Sequence, residues 1–163
     1  MTWLHPFPKK TITSHFGSLA GRLTPHRGTD YAPGPSALIR AVTDGELVEI
    51  RWSNILGWVS IQKADCCGRF IGYCHLSCWQ HGINCKGPIQ HKDGSNCMKG
   101  VKVGNRLEAG VSAVGRVGNT GSASRGAHLH ITLGKTQRSP FIGAVEDFYK
   151  WVELKRFSKC CGK

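Results

Sequence analysis

The sequence predicts a mostly β, antiparallel fold with a groove on one face of a sheet. Glycine is abundant, at 21 of 163 residues, and long helical patterns of apolar residues are rare. Short alternating or apolar runs recur between turn-forming residues, which favours many short strands. We therefore expect a single domain over residues 1–163, with its core in about 11–135.

The predicted strands can be taken in chain order. A short strand over 11–16 leads into a long loop over 18–35, in which proline and glycine are frequent. Residues 37–52 predict a β-hairpin that turns at Asp44–Gly45, a dipeptide suited to tight hairpin turns. The remaining predicted strands are 57–63, 69–76 and 128–133, and residues 101–117 predict either two short strands or a turn and one strand.

The C-terminal region, about 143–163, has a different character and predicts a short amphipathic helix within 143–157. From Lys150 to Lys163 it is basic, with Glu153 as its only acidic residue. We expect the helix to pack on the sheet, and the alternative is that its basic face docks on an anionic surface. The apolar residues at near-helical spacing are Ala144, Val145, Phe148, Trp151, Val152 and Leu154.

The net charge of +12 creates a field that attracts polyanions. Charge alone does not distinguish nucleic acid from other polyanions or from a merely soluble surface. No stretch approaches the roughly 20 apolar residues that span a bilayer. The residues after Met1 lack the basic and apolar regions of a signal peptide, so we expect synthesis in the cytoplasm without an export signal.

Two histidines, His128 and His130, alternate with apolar residues within 126–132. In a strand, both side chains point to one face, about 7 Å apart. Such a pair can divide two tasks, because one imidazole can bind a metal ion while the other transfers protons. The alternative is two polar residues on a solvated strand face.

Two further blocks carry residues of the same chemistry. His26 and Asp30 lie in the loop rich in proline and glycine, where a turn can bring them together. Imidazole and carboxylate are both good zinc ligands, and catalytic zinc typically keeps three protein ligands and one open position. The third block contains His75 at the end of a strand-like run, and alternation predicts that Tyr73 and His75 share a strand face.

In this order, the three blocks resemble the lysostaphin/LytM-type zinc endopeptidases. The matching motifs are His26-x-x-x-Asp30, Tyr73-x-His75-Leu76-Ser77 and His128-x-His130. Further matches are the opening strand Ile12–Gly17, the hairpin motif Ala41–Val48 and the glycine-containing block Val101–Gly121. The resemblance covers roughly residues 11–135 and is interrupted by one insertion.

The resemblance implies the antiparallel sheet-and-groove fold of these peptidases and hydrolysis of peptide bonds in bacterial peptidoglycan, in a cross-bridge or a stem peptide. It implies His26, Asp30 and His130 as the ligands of one catalytic zinc ion, with His75 and His128 as the catalytic residues. A chain without an export signal fits a phage endolysin or virion-associated lysin that acts on the wall after release. We expect a monomer that binds peptidoglycan, with anionic wall polymers as further partners of its basic surface.

The eight cysteines depart from the family pattern. Six lie in or beside residues 64–100, and two lie at the C-terminal end. Residues 78–100 form an insertion between the strand that carries His75 and the block that begins at Val101. A polar, cysteine-rich insertion needs disulfides or a structural zinc site to hold it. We favour disulfides, keep a second, structural zinc ion as the alternative, and expect the insertion to overhang one end of the groove. The sequence alone does not determine which of the eight cysteines pair with one another.

Two other classes of function remain open at this point. A catalytically inactive member of the same fold would bind the cell wall or activate a partner, but all five histidine and aspartate positions are present. A zinc-knuckle-like nucleic-acid binder would suit the charge and cysteine content. Its paired Cys-x-x-Cys spacing is absent from the sequence, so we expect no nucleic-acid partner.

Overall fold

An antiparallel sheet of eight strands is the main element of the computed structural model, which describes residues 2–77, 79–80, 83–84 and 101–155. A 3₁₀ turn at Lys9–Thr11 precedes the first strand. The strands are β1 Ile12–Ser14, β2 Thr29–Tyr31, β3 Leu38–Arg40, β4 Gly45–Ser53, β5 Gly57–Ala64, β6 Phe70–Leu76, β7 Trp79–Gln80, β8 Ile83–Asn84, β9 Arg106–Leu107, β10 Ala113–Arg116, β11 Leu129–Gly134 and β12 Val145–Glu146, and the helix is α1 Phe148–Lys155.

The main sheet has the order β1-β2-β11-β6-β5-β4-β9, and β12 pairs with β11. All of its paired strands run antiparallel. Strands β3 and β10 form a separate pair, and so do β7 and β8. The predicted fold class is confirmed: a mostly antiparallel β structure with a short C-terminal helix.

The predicted hairpin over 37–52 is wrong. Strand β4 pairs with β5 and β9, whereas β3 pairs with β10. Asp44 and Gly45 therefore do not form a hairpin turn. A Cβ atom at Gly45 would collide with the backbone of Lys63, so this glycine is needed for close strand packing, and the Asp44 carboxylate accepts a hydrogen bond from the Ala109 amide at 3.0 Å.

The main hydrophobic core lies on one face of the sheet. Strands β2, β6 and β11 contribute fully buried side chains that include Tyr31, Tyr73 and Ile131. The same cluster takes in β3, β10, the N-terminal segment and α1. Because alternate residues of these strands fill this core, their remaining side chains face the opposite side of the sheet.

The C-terminal helix packs on the sheet as expected, but it is shorter than predicted. Phe148 and Val152 are buried in the main core, and Trp151 packs against Trp3 with ring centroids 5.7 Å apart. Val145, expected to be helical, instead belongs to β12, where it pairs with Gly134 of β11. The helix therefore begins at Phe148, after this strand pairing.

The predictions for the insertion mostly lie outside the described residues. Only β7 and β8 are described between 78 and 100, and the tail beyond Lys155 is not described. Cys66 and Cys67 lie with their sulfur atoms 3.4 Å apart, and no disulfide joins two residues within the described ranges. Disulfides or a structural zinc in the insertion, and its overhang of the groove, stay predictions. No described helix is long and apolar enough to cross a membrane.

Candidate metal centre and its groove

Strand pairing brings Asp30 and His130 together. Strands β2 and β11 are antiparallel neighbours, and Asp30 lies directly opposite His130. Their chain neighbours, such as Tyr31 and Ile131, fill the main core, so the carboxylate and the imidazole share the other face. Asp30 Oδ1 lies 2.8 Å from His130 Nδ1.

His26 reaches the same point from the loop between β1 and β2. Backbone hydrogen bonds hold the loop, from the His26 amide to the Ser18 carbonyl at 3.0 Å and from the Gly17 amide to the His26 carbonyl at 2.8 Å. His26 Nδ1 donates to the backbone carbonyl of His15 at 3.0 Å. This bond assigns the proton to Nδ1 and leaves the lone pair of Nε2 directed at Asp30 and His130.

His26, Asp30 and His130 form a group that can hold a metal ion. His26 Nε2 lies 3.1 Å from Asp30 Oδ1 and 3.0 Å from His130 Nδ1. All three side chains are buried, at 6%, 6% and 8% exposure. Two imidazole nitrogens and one carboxylate oxygen converging on one point are a donor set that suits zinc, with room for a further ligand in a catalytic site.

Gly28 allows the loop to approach β11 closely. A Cβ atom at this position would lie 2.5 Å from the Ile131 carbonyl oxygen and 2.7 Å from Cε1 of His130. Both distances are shorter than real Cβ contacts, so any larger side chain would displace the His130 ring. Packing therefore requires a glycine at position 28, between the predicted ligands His26 and Asp30.

The environment keeps this group in the protonation states that bind metal. Burial alone would raise the pKa of Asp30, but the close contacts of its carboxylate with the imidazoles of His130 and His26 outweigh this effect and hold the pKa well below its ordinary value. Burial lowers the pKa of His130, although its hydrogen bond to Asp30 opposes the shift. A carboxylate and a neutral imidazole are the forms that ligate zinc.

Sequence reasoning missed Arg22. Its Nη2 donates to Asp30 Oδ2 at 3.2 Å, on the carboxylate oxygen opposite the one that faces His26 and His130. A partner of this kind orients a metal-ligating carboxylate. Arg22 lies in a loop without strand or helix periodicity, so the sequence carries no signal for this contact.

His75 reaches the groove through an irregularity in β6, and the prediction that Tyr73 and His75 share a face is wrong. Tyr73 is buried in the main core, where its hydroxyl donates to Gln62 Oε1 at 2.6 Å. The register between β5 and β6 shifts beyond Tyr73, and His75 has a φ of 61°, which is rare for a residue with a side chain. This local distortion turns His75 towards His128, with ring centroids 4.7 Å apart.

Thr120 fixes the orientation of His75. His75 Nδ1 donates to the Thr120 carbonyl at 2.8 Å, while the Thr120 hydroxyl donates to the Leu76 carbonyl at 2.7 Å. Burial lowers the pKa of His75 to about 4, against the opposing effect of the Thr120 hydrogen bond. His75 is therefore neutral near pH 7, with its Nε2 lone pair uncommitted to Thr120.

His128 lies just before β11, not within a strand over 128–133 as predicted. A single bridge pairs it with Gly118. Its Nδ1 donates to the Gly126 carbonyl at 2.8 Å, and its Nε2 lies 3.8 Å from Asp30 Oδ1. All five predicted site residues are thus brought together on one face of the sheet, with His128 and His75 beside the group of three.

Two cavities flank the group. One, of about 660 Å³, is lined by Asp30 and His128 among others, and the second, of about 460 Å³, is lined by His26 and His130. Arg22 and Ala123 line both cavities, which places the group of three between them. An extended chain can therefore lie across the group with segments on either side.

No protein-family model matches the sequence, but solved structures match the fold. The catalytic domain of the antimicrobial peptidase lysostaphin from Staphylococcus simulans is similar with a TM-score of 0.64 and 22% identity, over 87% of this chain and 91% of that chain. The chain has the lysostaphin-type fold. A catalytic-domain mutant of the prophage-encoded protein EnpA from Enterococcus faecalis gives 0.64 and 26%, over 90% and 95%.

A zinc-containing peptidase from Vibrio cholerae is also similar, with a TM-score of 0.60 and 23% identity. The match covers 82% of this chain but only 36% of that chain. The resemblance to the lysostaphin/LytM-type peptidases that the sequence motifs indicated is thereby confirmed for the structure. Within the lysostaphin-type fold, the group of three and the two flanking histidines occupy one groove.

Proposed function

We propose that this chain is a zinc-dependent endopeptidase that hydrolyses peptide bonds in bacterial peptidoglycan, in a cross-bridge or a stem peptide. The observation that carries the proposal is the convergence of His26, Asp30 and His130 within 2.8–3.1 Å of one another. Two more imidazoles flank this group, at the centre of a groove that can take an extended chain. The peptidase fold supports the same assignment.

His26 Nε2, Asp30 Oδ1 and His130 Nδ1 would hold the zinc ion. When bound there, zinc supplies a Lewis acid that polarises the scissile carbonyl and makes water a stronger nucleophile near neutral pH. The hydrogen bond from His26 to His15 and the contact of Arg22 with Asp30 hold two of these ligands in place. Among the described residues that line the two cavities, Asp30 alone carries a carboxylate, so we assign proton transfer to histidines.

His75 and His128 are the residues that move protons in this proposal. Each donates Nδ1–H to a backbone carbonyl, so each neutral ring offers Nε2 as a proton acceptor. His75, held neutral by burial, has a lone pair ready to accept the proton of the attacking water. His128 is more exposed and lies closer to Asp30, where its protonated form would donate to the developing oxyanion or to the leaving amine.

The biological setting that we propose is a phage lysin that acts on the cell wall after release, as an endolysin or as part of the virion. The prophage origin of the EnpA domain supports this setting. The net charge of +12 favours binding to anionic wall polymers at low ionic strength. We propose that the protein acts as a monomer on peptidoglycan.

Elemental analysis and wall clearing test this function together. Purified protein is expected to contain chelatable zinc and to clear suspensions of Gram-positive or Gram-negative walls, with clearing abolished by chelator and restored by zinc. Zinc without clearing of any wall would favour a catalytically inactive, wall-binding member of the same fold. A second zinc ion that survives replacement of His130 would assign a structural site to the cysteine-rich insertion.

A further inference from the structure

The groove has a strongly asymmetric charge. Within the part of the chain that the structure describes, the residues lining its two cavities include four arginines, and Asp30 is their only acidic side chain. Both oxygens of the Asp30 carboxylate already have partners. One faces His26 and His130, and the other accepts a hydrogen bond from Arg22. The cavity walls therefore present net positive charge to whatever binds there. The four arginines are Arg22, Arg27, Arg51 and Arg125.

Three of the four guanidinium groups already have partners. Arg22 donates to Asp30, and Arg27 donates to the Ser139 carbonyl at 3.4 Å and to the Gly143 carbonyl at 2.5 Å. Arg51 lies over the Phe141 ring at 3.6 Å and pairs with Glu49. These contacts explain their placement without a ligand.

Arg125 differs from the other three. It is exposed, and within residues 2–77 and 101–155 it forms no ion pair. It lines the cavity of about 660 Å³ that also contains His128. A planar guanidinium that has no ion-pair partner among the described residues, and that lines the same cavity as His128, is suited to bind a carboxylate through two parallel hydrogen bonds.

The rest of this cavity leaves room for a backbone. Small residues make up much of its wall, so an extended peptide can lie there with its carboxylate turned towards Arg125. A glycine bridge offers no such carboxylate. A diaminopimelate cross-link carries one on the carbon beside the scissile amide. The small residues are Ala20, Gly21, Ala32, Ala123, Gly126 and Ala127.

We propose that Arg125 forms a carboxylate-binding subsite. The preferred substrate bears a free carboxylate beside the scissile bond, on the part of the peptide that lies in the cavity lined by Arg125 and His128. This inference rests on the proposed peptidase function and narrows its substrate class. It selects cross-links of the diaminopimelate type with an unamidated carboxylate over glycine bridges. Arg125 acts in binding, and the chemistry stays with the histidines.

Two synthetic cross-linked peptides that differ only at this group test the proposal. One bears the free carboxylate beside the scissile bond, and the other bears a carboxamide. The wild-type kcat/KM is expected to be about tenfold to a hundredfold higher for the carboxylate peptide, as for a hydrogen bond to a charged group. The preference should shrink as salt screens the charges.

The matched variants are Arg125→Gln and Arg138→Gln. Arg138 is also exposed but lines neither cavity. Arg125→Gln should abolish the preference, because kcat/KM for the carboxylate peptide falls towards that for the carboxamide peptide, whereas Arg138→Gln should keep the preference. Equal cleavage of both peptides by the wild type, or a preference that persists in Arg125→Gln, would overturn the subsite.

Binding of the same two peptides, measured by fluorescence anisotropy on chelator-treated protein, separates this proposal from the peptidase function. Selective binding of the carboxylate peptide that depends on Arg125, without cleavage of either peptide, would refute the peptidase and leave the subsite standing. Equal binding of the two peptides, together with cleavage of both by the zinc-containing protein, would refute the subsite and support the peptidase function. Equal binding without cleavage would refute both.

Discussion

His75 and His128 face each other with ring centroids 4.7 Å apart, although they come from segments that are far apart in sequence. Each ring donates Nδ1–H to a backbone carbonyl, at 2.8 Å in both cases. The backbone thus sets both tautomers and points both Nε2 atoms away from these carbonyls. This arrangement separates the two histidines that we propose transfer protons from the three residues that converge as candidate metal ligands.

Replacing one histidine at a time should separate metal binding from catalysis. His130→Ala removes a nitrogen of the convergent group, so it should lose both zinc and activity. His128→Ala should keep zinc but lower kcat by about a hundredfold to ten-thousandfold, the range for a general acid or base. Zinc content per molecule and peptide cleavage are the two measurements, and equal zinc loss in both variants would contradict the division of roles.

The protonation of His75 gives a pH-dependent prediction. Burial lowers its pKa from 6.5 to about 4, so the unfolded chain takes up this proton at a higher pH than the folded chain. The contribution to stability is therefore complete above pH 6.5 and is lost as the pH falls towards 4. A shift of this size corresponds to about 3 kcal/mol.

NMR titration of the imidazole nitrogens in metal-free protein measures this pKa directly. His75 should keep its Nδ1–H tautomer to well below pH 6, and denaturant unfolding at pH 7 and pH 5 should show a smaller loss of stability in His75→Gln than in the wild type. A His75 midpoint at the ordinary value would contradict the proposed burial effect.

Gly28→Ala should disturb the candidate metal centre without replacing any of the three candidate ligands. The new methyl group would press on the His130 ring and the Ile131 carbonyl, which costs about 1–3 kcal/mol in a packed site and displaces a ligand. Gly126→Ala is the matched control, because a Cβ atom there meets no atom within 4 Å. Zinc affinity, measured by competition with a chelating dye, should fall in Gly28→Ala alone; an equal affinity in the two variants would refute the packing argument.

The C-terminal helix should be part of the folding unit. Phe148 is fully buried in the main core, so Phe148→Ala should lower the free energy of unfolding by about 3–5 kcal/mol. Leu154 lies on the same helix but is 72% exposed, and Leu154→Ala should change stability by no more than about 0.5 kcal/mol. Denaturant unfolding of both variants checks this, and similar losses in the two would mean that the helix is not anchored by Phe148.

The sequence allowed the site to be predicted better than the strand pairing. The site residues were predicted because their motifs resemble those of the lysostaphin/LytM-type peptidases, and the structure brings them together. Asp30, expected in a loop, lies in strand β2. The partner of β4 depends instead on contacts between distant strands. The dipeptide Asp44–Gly45 suggested a turn, but its glycine meets a packing requirement that only the folded sheet reveals.

Two residues show where pattern reasoning fails at the site itself. Tyr73 and His75 are two positions apart, yet they face opposite sides of the sheet because the β6 register shifts between them and His75 takes a positive φ. The alternation of side chains along the sequence does not reveal such a backbone irregularity. Arg22 and Arg125 come from loops, where side-chain direction follows from tertiary structure and not from sequence period.

The most direct measurement is the release of new amino termini from purified peptidoglycan, with the wild type and His130→Ala in parallel. The wild type should release them, lose this activity when zinc is removed by chelator, and regain it when zinc is returned, while His130→Ala should stay inactive throughout. Walls with glycine bridges and walls with diaminopimelate cross-links are both needed as substrates. No release from either wall, or release by the wild type that persists without metal, would contradict a zinc peptidase centred on His26, Asp30 and His130.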